Sequence, residues 1–472
     1  MSETSISTTD FANEHLDPGI WRVAAVVLLG PLMTQMDSTV VNVALPVIRQ
    51  NLHATIGSVQ WIISGYLLAL ALMLPLNAWL VDRVGAKRLY LACFSGFTLA
   101  SLLCGAARTM DQLIWARVLQ GIAGGLLAPM TQMMLARAAG KHLARVMGFA
   151  AMPVLMAPIL GPIMAGAILK SASWQWLFYI NLPVGVLAVV LAVFLLPNDS
   201  AAIQKRPFDL TGFLLISPGL VAVLYGMDHA ASLQGSSIVL GGLLLSGAFI
   251  WHALRMRSEA LIDVRLFRNR VFAAATRTQF LSNGATFAGQ MLIPLYLVTG
   301  CGFSAPKAGW MLTPMGLGML CVYPLMGYLT ERLGCRAVSV SGTILASLGT
   351  VPLLWMAHNR FVPLLMTVSL VARGAGQSGI GLPSISAAYA SVPREKLALA
   401  TTATNIAQRL GGPIATTSVA IFMSFAAVHF PAAGSHAFVL PFLLLIGIQL
   451  LVLISASRLP IRIHPADADG NR

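Results

Sequence analysis

The sequence predicts an all-α polytopic membrane protein, and three observations lead there. Of 472 residues, 57% are hydrophobic and only 10% charged, against about 25% charged in an average soluble domain. Mean hydropathy is +0.79. Apolar stretches near the length of about 20 residues that crosses a bilayer as a helix recur along nearly the whole chain.

Residues 1–20 carry Glu3, Asp10, Glu14 and Asp17 and no basic residue, so they lack the charged start of a cleavable signal and read as a short cytoplasmic tail. Six apolar windows follow, at 21–48, 58–80, 89–107, 112–136, 144–169 and 177–197, and define a first half over 21–197. The linker 198–260 holds two shorter windows, 210–227 and 237–254. A second half over 261–457 repeats the pattern at 271–299, 305–329, 337–357, 361–383, 398–428 and 436–457, before a cytoplasmic tail at 458–472. The expectation is fourteen transmembrane helices arranged as six, two and six.

The formal charge of +14 invites a nucleic-acid reading that the distribution of the 30 Lys and Arg residues excludes. If alternate loops are assigned to the cytoplasm from the N-terminus, 22 basic residues fall inside and five outside, while Arg117, Arg373 and Arg409 lie within spans. The positive-inside rule then places both termini in the cytoplasm. Basic loops here orient helices in the bilayer, and no nucleic-acid partner is implied.

An internal repeat supports the two halves. Leu80-Val81-Asp82-Arg83-Val84-Gly85 returns as Leu329-Thr330-Glu331-Arg332-Leu333-Gly334, 249 positions later. Pro46 and Pro294 end similar helices, and Arg117 and Arg373 each precede a glycine-rich stretch. Two halves around a central cavity are one way transporters are built from repeats.

Asp37 is the only acid deep within a span. An ionisable group there costs roughly 2.5–3.5 kcal/mol on insertion scales, faces a bundle interior or wet cavity, and marks ion or proton pathways. Arg117, about seven residues into the fourth span, differs from Asp37 in depth by roughly 6 Å at 1.5 Å per residue, within reach of its side chain. Gln120, one turn on, is a polar partner for the pair. A static ion pair kept for packing is the competing reading, because buried pairs break even energetically. As the single deep acid, Asp37 also leads to an expectation of one proton exchanged for one monovalent cation.

The chain is similar to the fourteen-span drug:proton antiporters of the major facilitator superfamily. Four stretches over about 20–457 carry the resemblance: Asp37 to Pro46, Trp174 to Gly185, Asp209-Leu210-Thr211-Gly212, and Leu261 to Phe267. Asn77 stands where that family's inner loop motif opens with Gly, and Gln175 where Arg is common. The resemblance implies proton-driven multidrug efflux across a bacterial inner membrane, with protons as coupling ion and no other cofactor. Asp37 and Arg117 are then the proton-coupling residues. Pro158, Gly161, Pro162 and Gly166, within Ala-Pro-x-x-Gly-Pro-x-x-Ala-Gly, match the antiporter motif, in which small residues let helices approach closely. Asp82, with Arg83, Gly85 and Arg88, matches a charge network that latches the halves at the inner face, and Glu331 with Arg332 supplies its echo.

Asn42, Tyr66, Gln120, Gln290, Tyr296 and Asn405 are polar residues within spans and the expected lining of a substrate cavity. Met33, Met36 and Met130 suit promiscuous surfaces, though most of the 22 methionines are packing residues. The five cysteines have no metal-type spacing, and no nucleotide-binding, zinc-protease or nucleophile-elbow pattern occurs, so neither a metal nor an enzyme is expected. The partners expected are the lipid bilayer and a small-molecule substrate; an accessory periplasmic protein is not indicated. The rival readings are a dedicated exporter of one metabolite or siderophore and a non-transporting receptor or scaffold.

Overall fold

In hydrocarbon a chain must satisfy its own backbone hydrogen bonds, and helices do so segment by segment. The computed structural model describes residues 17–461 apart from 151, 199–206, 231, 257–258 and 430–433. The tails beyond these limits, with Lys205, Arg206 and Arg257, lie outside the described residues.

Each apolar window folds as helix, and no strand occurs among the described residues. In chain order the long helices are α1 Pro18–Asn51, α2 Gly57–Val84, α3 Ala86–Ala106, α4 Met110–Ala139, α5 Leu143–Ser171, α6 Trp176–Leu195, α7 Leu210–Asp228 and α8 Leu233–Met256. They continue with α9 Arg270–Leu295, α10 Pro306–Leu333, α11 Cys335–His358, α12 Pro363–Ala390, α13 Leu397–His429 and α14 Ser435–Ala456. Eleven are long and apolar enough to cross a membrane. The other three, α9, α12 and α13, have 26, 28 and 33 residues but more polar side chains. Many of those are buried against neighbouring helices, among them Gln279, Arg373, Ser378, Thr401 and Asn405.

The repeat seen in sequence is a repeat of packing. In the first half α2 and α3 both pack on α4, α1 on α5, and α3 on α6. In the second, α10 and α11 pack on α12, α9 on α13, and α11 on α14. The repeated turns agree in detail: Gly85 and Gly334 have φ of 92° and 88°, a region open to glycine because it lacks Cβ. Two residues after each glycine a basic side chain caps another helix. Lys87 Nζ donates to the carbonyls of Val193 and Leu196, both at 2.8 Å, at the end of α6. Arg336 Nε donates to Leu459 O at 2.6 Å, beyond α14. A cation at a helix C-terminus meets the negative end of the dipole.

Helices α7 and α8 pair, and α7 touches α2 and α13, so the inserted hairpin lies along the seam between the halves. Trp61 and Tyr225 stack there with ring centroids 6.0 Å apart. Asp209 ties the hairpin down: its Oδ1 caps α7 at Gly212 N, 2.7 Å, and lies 2.8 Å from His252 Nε2 of α8, while Oδ2 accepts from Leu261 N at 3.1 Å. Asp263 likewise caps the turn at Arg265 N and meets Lys396 Nζ at 3.3 Å. Two of the four family-like stretches are thus anchored by capping aspartates.

The halves themselves meet at the end of the bundle that carries the basic turns. There α5 touches α10, and α13 touches α4 and the end of α2.

Candidate functional site

The site is built where α1, α3, α4 and α6 converge. Its approach depends on Gly121 of α4, where a Cβ would lie 2.4 Å from Tyr66 O, so only a bare backbone lets α4 come this close to α2. Arg117, one turn earlier, is thereby held under Tyr66, whose ring centroid lies 4.1 Å from the guanidinium carbon, a cation–π geometry.

Arg117 Nη1 donates to Asp37 Oδ2, forming an ion pair with both residues 1% exposed. Asp37 Oδ1 accepts from Gln120 Nε2 at 3.0 Å and from Asn181 Nδ2 at 2.9 Å. Arg117 spends Nε on Ile62 O at 3.1 Å and a second Nη1 contact on Gln120 Oε1 at 2.6 Å. Gln120 also donates to Ser101 Oγ at 2.8 Å. The carboxylate and the guanidinium are thus each answered by several polar partners, the condition under which a buried charge network holds. Chemically this is a carboxylate whose protonation would free a guanidinium.

Of the residues expected from sequence, Asp37, Arg117, Gln120 and Tyr66 are brought together. Gln120 is fully buried in the network and lines no open space. Tyr296 lies elsewhere, buried in an apolar core of the second half, its ring 5.4 Å from Phe438 and 5.5 Å from Phe442. Asn42 of α1 and Gln290 of α9 are exposed. Asn181 and Ser101 escaped the sequence reading, although Asn181 stands as a polar interruption inside the sixth apolar window.

The antiporter motif borders this site. Gly161 of α5 faces Thr39 of α1, two residues from Asp37, and a Cβ there would lie 2.1 Å from Thr39 Oγ1. Thr39 Oγ1 donates to Ala157 O at 3.4 Å. Pro162 is exposed, as is Gly166, which has open space around it. Pro158 lies within the same helix, its side chain outside what is described.

At the basic end, residues of the two halves bond directly. Asn77, the departure from the family pattern, is fully buried and donates to Thr402 Oγ1 at 3.1 Å. Asn405 Nδ2 donates to Gln132 Oε1 at 2.7 Å, and Tyr389 Oη donates to the same oxygen at 2.6 Å. Asn405, expected to line the cavity, bonds the second half to the first. Glu331 Oε1 lies 3.5 Å from His142 Nδ1 of the first half. Asp82 is half-buried beside Trp79, Asp209, Glu259, Leu261 and Leu399, whereas Arg83, Arg88 and Arg332 are exposed.

Two like helical halves joined at one end, the first of them holding a buried carboxylate–guanidinium pair, have the architecture of a membrane transporter. The chain belongs to the major facilitator superfamily, whose description, Major Facilitator Superfamily, fits residues 27–416. It is 34% identical over 426 residues to the Multidrug resistance protein B homolog of Mycobacterium tuberculosis, spanning 88% of this chain and 78% of that protein. The structure of the proton:xylose symporter XylE bound to 6-bromo-6-deoxy-D-glucose is similar in fold, with a TM-score of 0.64 at 14% identity over 94% of this chain and 98% of that one. The protein is a multi-pass membrane transporter and not an enzyme.

Proposed function

We propose that the protein exports amphiphilic small molecules, cations among them, across a bacterial inner membrane in exchange for protons, by alternating access. The observation that carries this is the buried Asp37–Arg117 pair, locked by Gln120 and Asn181. A titratable acid is kept in the membrane at considerable cost, in a protein whose 34% identical relative is named for multidrug resistance. Protonation of Asp37 neutralises the acceptor of Arg117, so proton binding changes what holds α1 to α4. The latches of Asn77, Gln132 and Asn405 sit at the end that positive-inside bias assigns to the cytoplasm, which corresponds to an outward-open form.

In proteoliposomes with an imposed pH gradient, the wild type concentrates a lipophilic cation uphill. Asp37→Asn abolishes uphill movement and retains downhill exchange. An Asp37→Asn protein that still concentrates substrate removes Asp37 from the mechanism.

Fourteen crossings with both termini cytoplasmic belong to the same proposal, α7 and α8 forming a spanning hairpin. Reporter fusions after Arg206 and Arg257 report a cytoplasmic location and one at Gly235 the outside; a cytoplasmic signal at Gly235 overturns the fourteen-span arrangement.

A further inference from the structure

The second-half echo of the inner charge turn meets a histidine. Glu331, near the end of α10, places Oε1 3.5 Å from Nδ1 of His142, in the turn between α4 and α5 of the first half, with the two side chains 16% and 12% exposed. That oxygen has no hydrogen-bond partner among the described residues. The Glu331 carboxylate also takes a backbone hydrogen bond from Arg145, at the start of α5, where a helix N-terminus suits an anion.

Backbone contact brings the pair together. Gly327 lies one turn before Glu331 on α10, and a Cβ there would stand 2.6 Å from Ala144 O and 2.8 Å from Arg145 Cα, while Gly148 of α5 faces Gly327 in turn. The two helices touch main chain to main chain, one from each half, so parting the halves at this end pulls Glu331 away from His142.

The elements packed around this turn carry other charges: Lys141 beside His142 in the chain, Arg22 of α1, Arg137 of α4, Arg145 of α5 and Arg332 of α10. Arg394 comes from the turn after α12, its Nη2 3.8 Å from where a Cβ on Gly140 would stand, with Glu395 exposed next to it. Lysine and arginine keep their charge through the range of cytoplasmic pH, and histidine is the side chain that ordinarily changes there. At 3.5 Å a neutral ring gives the carboxylate little. An imidazolium gives it a partly buried ion pair across the two halves.

We propose that His142 and Glu331 form a pH-graded latch of the inner face: as the cytoplasm acidifies, His142 takes a proton, pairs with Glu331 and holds that face closed. The latch is strongest below the titration range of the histidine and is lost as pH rises through it. In an exporter that admits protons, closure at low internal pH limits the acid load. That consequence rests on the exporter reading and on the cytoplasmic placement of this end; the pH response of the contact does not.

The test is pulsed electron paramagnetic resonance on the purified full-length protein in nanodiscs, with no pH gradient. Spin labels at Phe194→Cys and Leu333→Cys, exposed positions on the two halves, report opening of the basic end. The background lacks the native cysteines and carries Asp37→Asn, so that the deep carboxylate contributes no titration. Between about pH 8 and about pH 6 the ratio of closed to open form rises about two- to fivefold, the size of an ion pair near a protein surface. His142→Gln and Glu331→Gln each flatten this response, and His142→Lys, with a fixed charge, favours the closed form at both pH values. A response of equal size in His142→Gln, or none in the labelled parent, overturns the latch. Graded closure in a chain whose wild-type form drives no uphill efflux would instead sink the exporter reading and leave the latch standing.

Discussion

Arg117, Gln120 and Asn181 all donate to the Asp37 carboxylate, which compensates its charge without any need of water. Removing one member of a buried ion pair leaves the other uncompensated, at about 3–5 kcal/mol, whereas replacing both by apolar groups is often neutral. The expected outcome is that Arg117→Leu lowers thermal stability strongly in detergent, and that Asp37→Leu with Arg117→Leu recovers most of the loss yet transports nothing uphill. A double variant that still drives uphill efflux would show the pair to be packing and nothing more. Asp37 and Arg117 were legible in the sequence because charge in an apolar window is rare. Asn181 and Ser101 were not, since an uncharged polar residue in a helix is common and only convergence of α1, α3, α4 and α6 makes these two partners of a carboxylate.

At the scale of helices, close approach is decided position by position. The α1–α5 contact tolerates no Cβ at Gly161, where Thr39 Oγ1 would lie 2.1 Å away, while Gly166 meets nothing within 4 Å. Gly161→Ala is therefore expected to push α5 off α1 beside Asp37 and to raise proton leak across proteoliposomes, with Gly166→Ala behaving as wild type. Equal leak from both variants, or from neither, counts against a seal at Gly161. The motif was readable as small residues one turn apart; which glycine bears the contact depends on helix rotation, which spacing alone leaves open. The same holds for Lys87, which charge bias marks as cytoplasmic and the fold employs as a cap on α6.

For the whole molecule, the joined basic end sets which face of the transporter is closed. Gln132 of the first half and Asn405 of the second bond at 2.7 Å. In a background lacking the native cysteines, Gln132→Cys with Asn405→Cys is expected to form a disulfide under mild oxidation, arrest transport, and release it on reduction. Transport that continues at full rate with the crosslink formed would mean that this contact does not open during the cycle. The sequence by itself determined the membrane, the helices, the two halves and the deep acid with its arginine, because hydrocarbon penalises charge and unpaired backbone so heavily that composition and spacing record the solution. Only the tertiary structure decided that Tyr296 belongs to a closed core, that Asn405 and Asn77 join the halves, and that Arg409 has no hydrogen-bond or ion-pair partner among the described residues. Those outcomes rest on which helix face meets which across hundreds of residues of chain, and polar side chains carry no mark of their eventual neighbours.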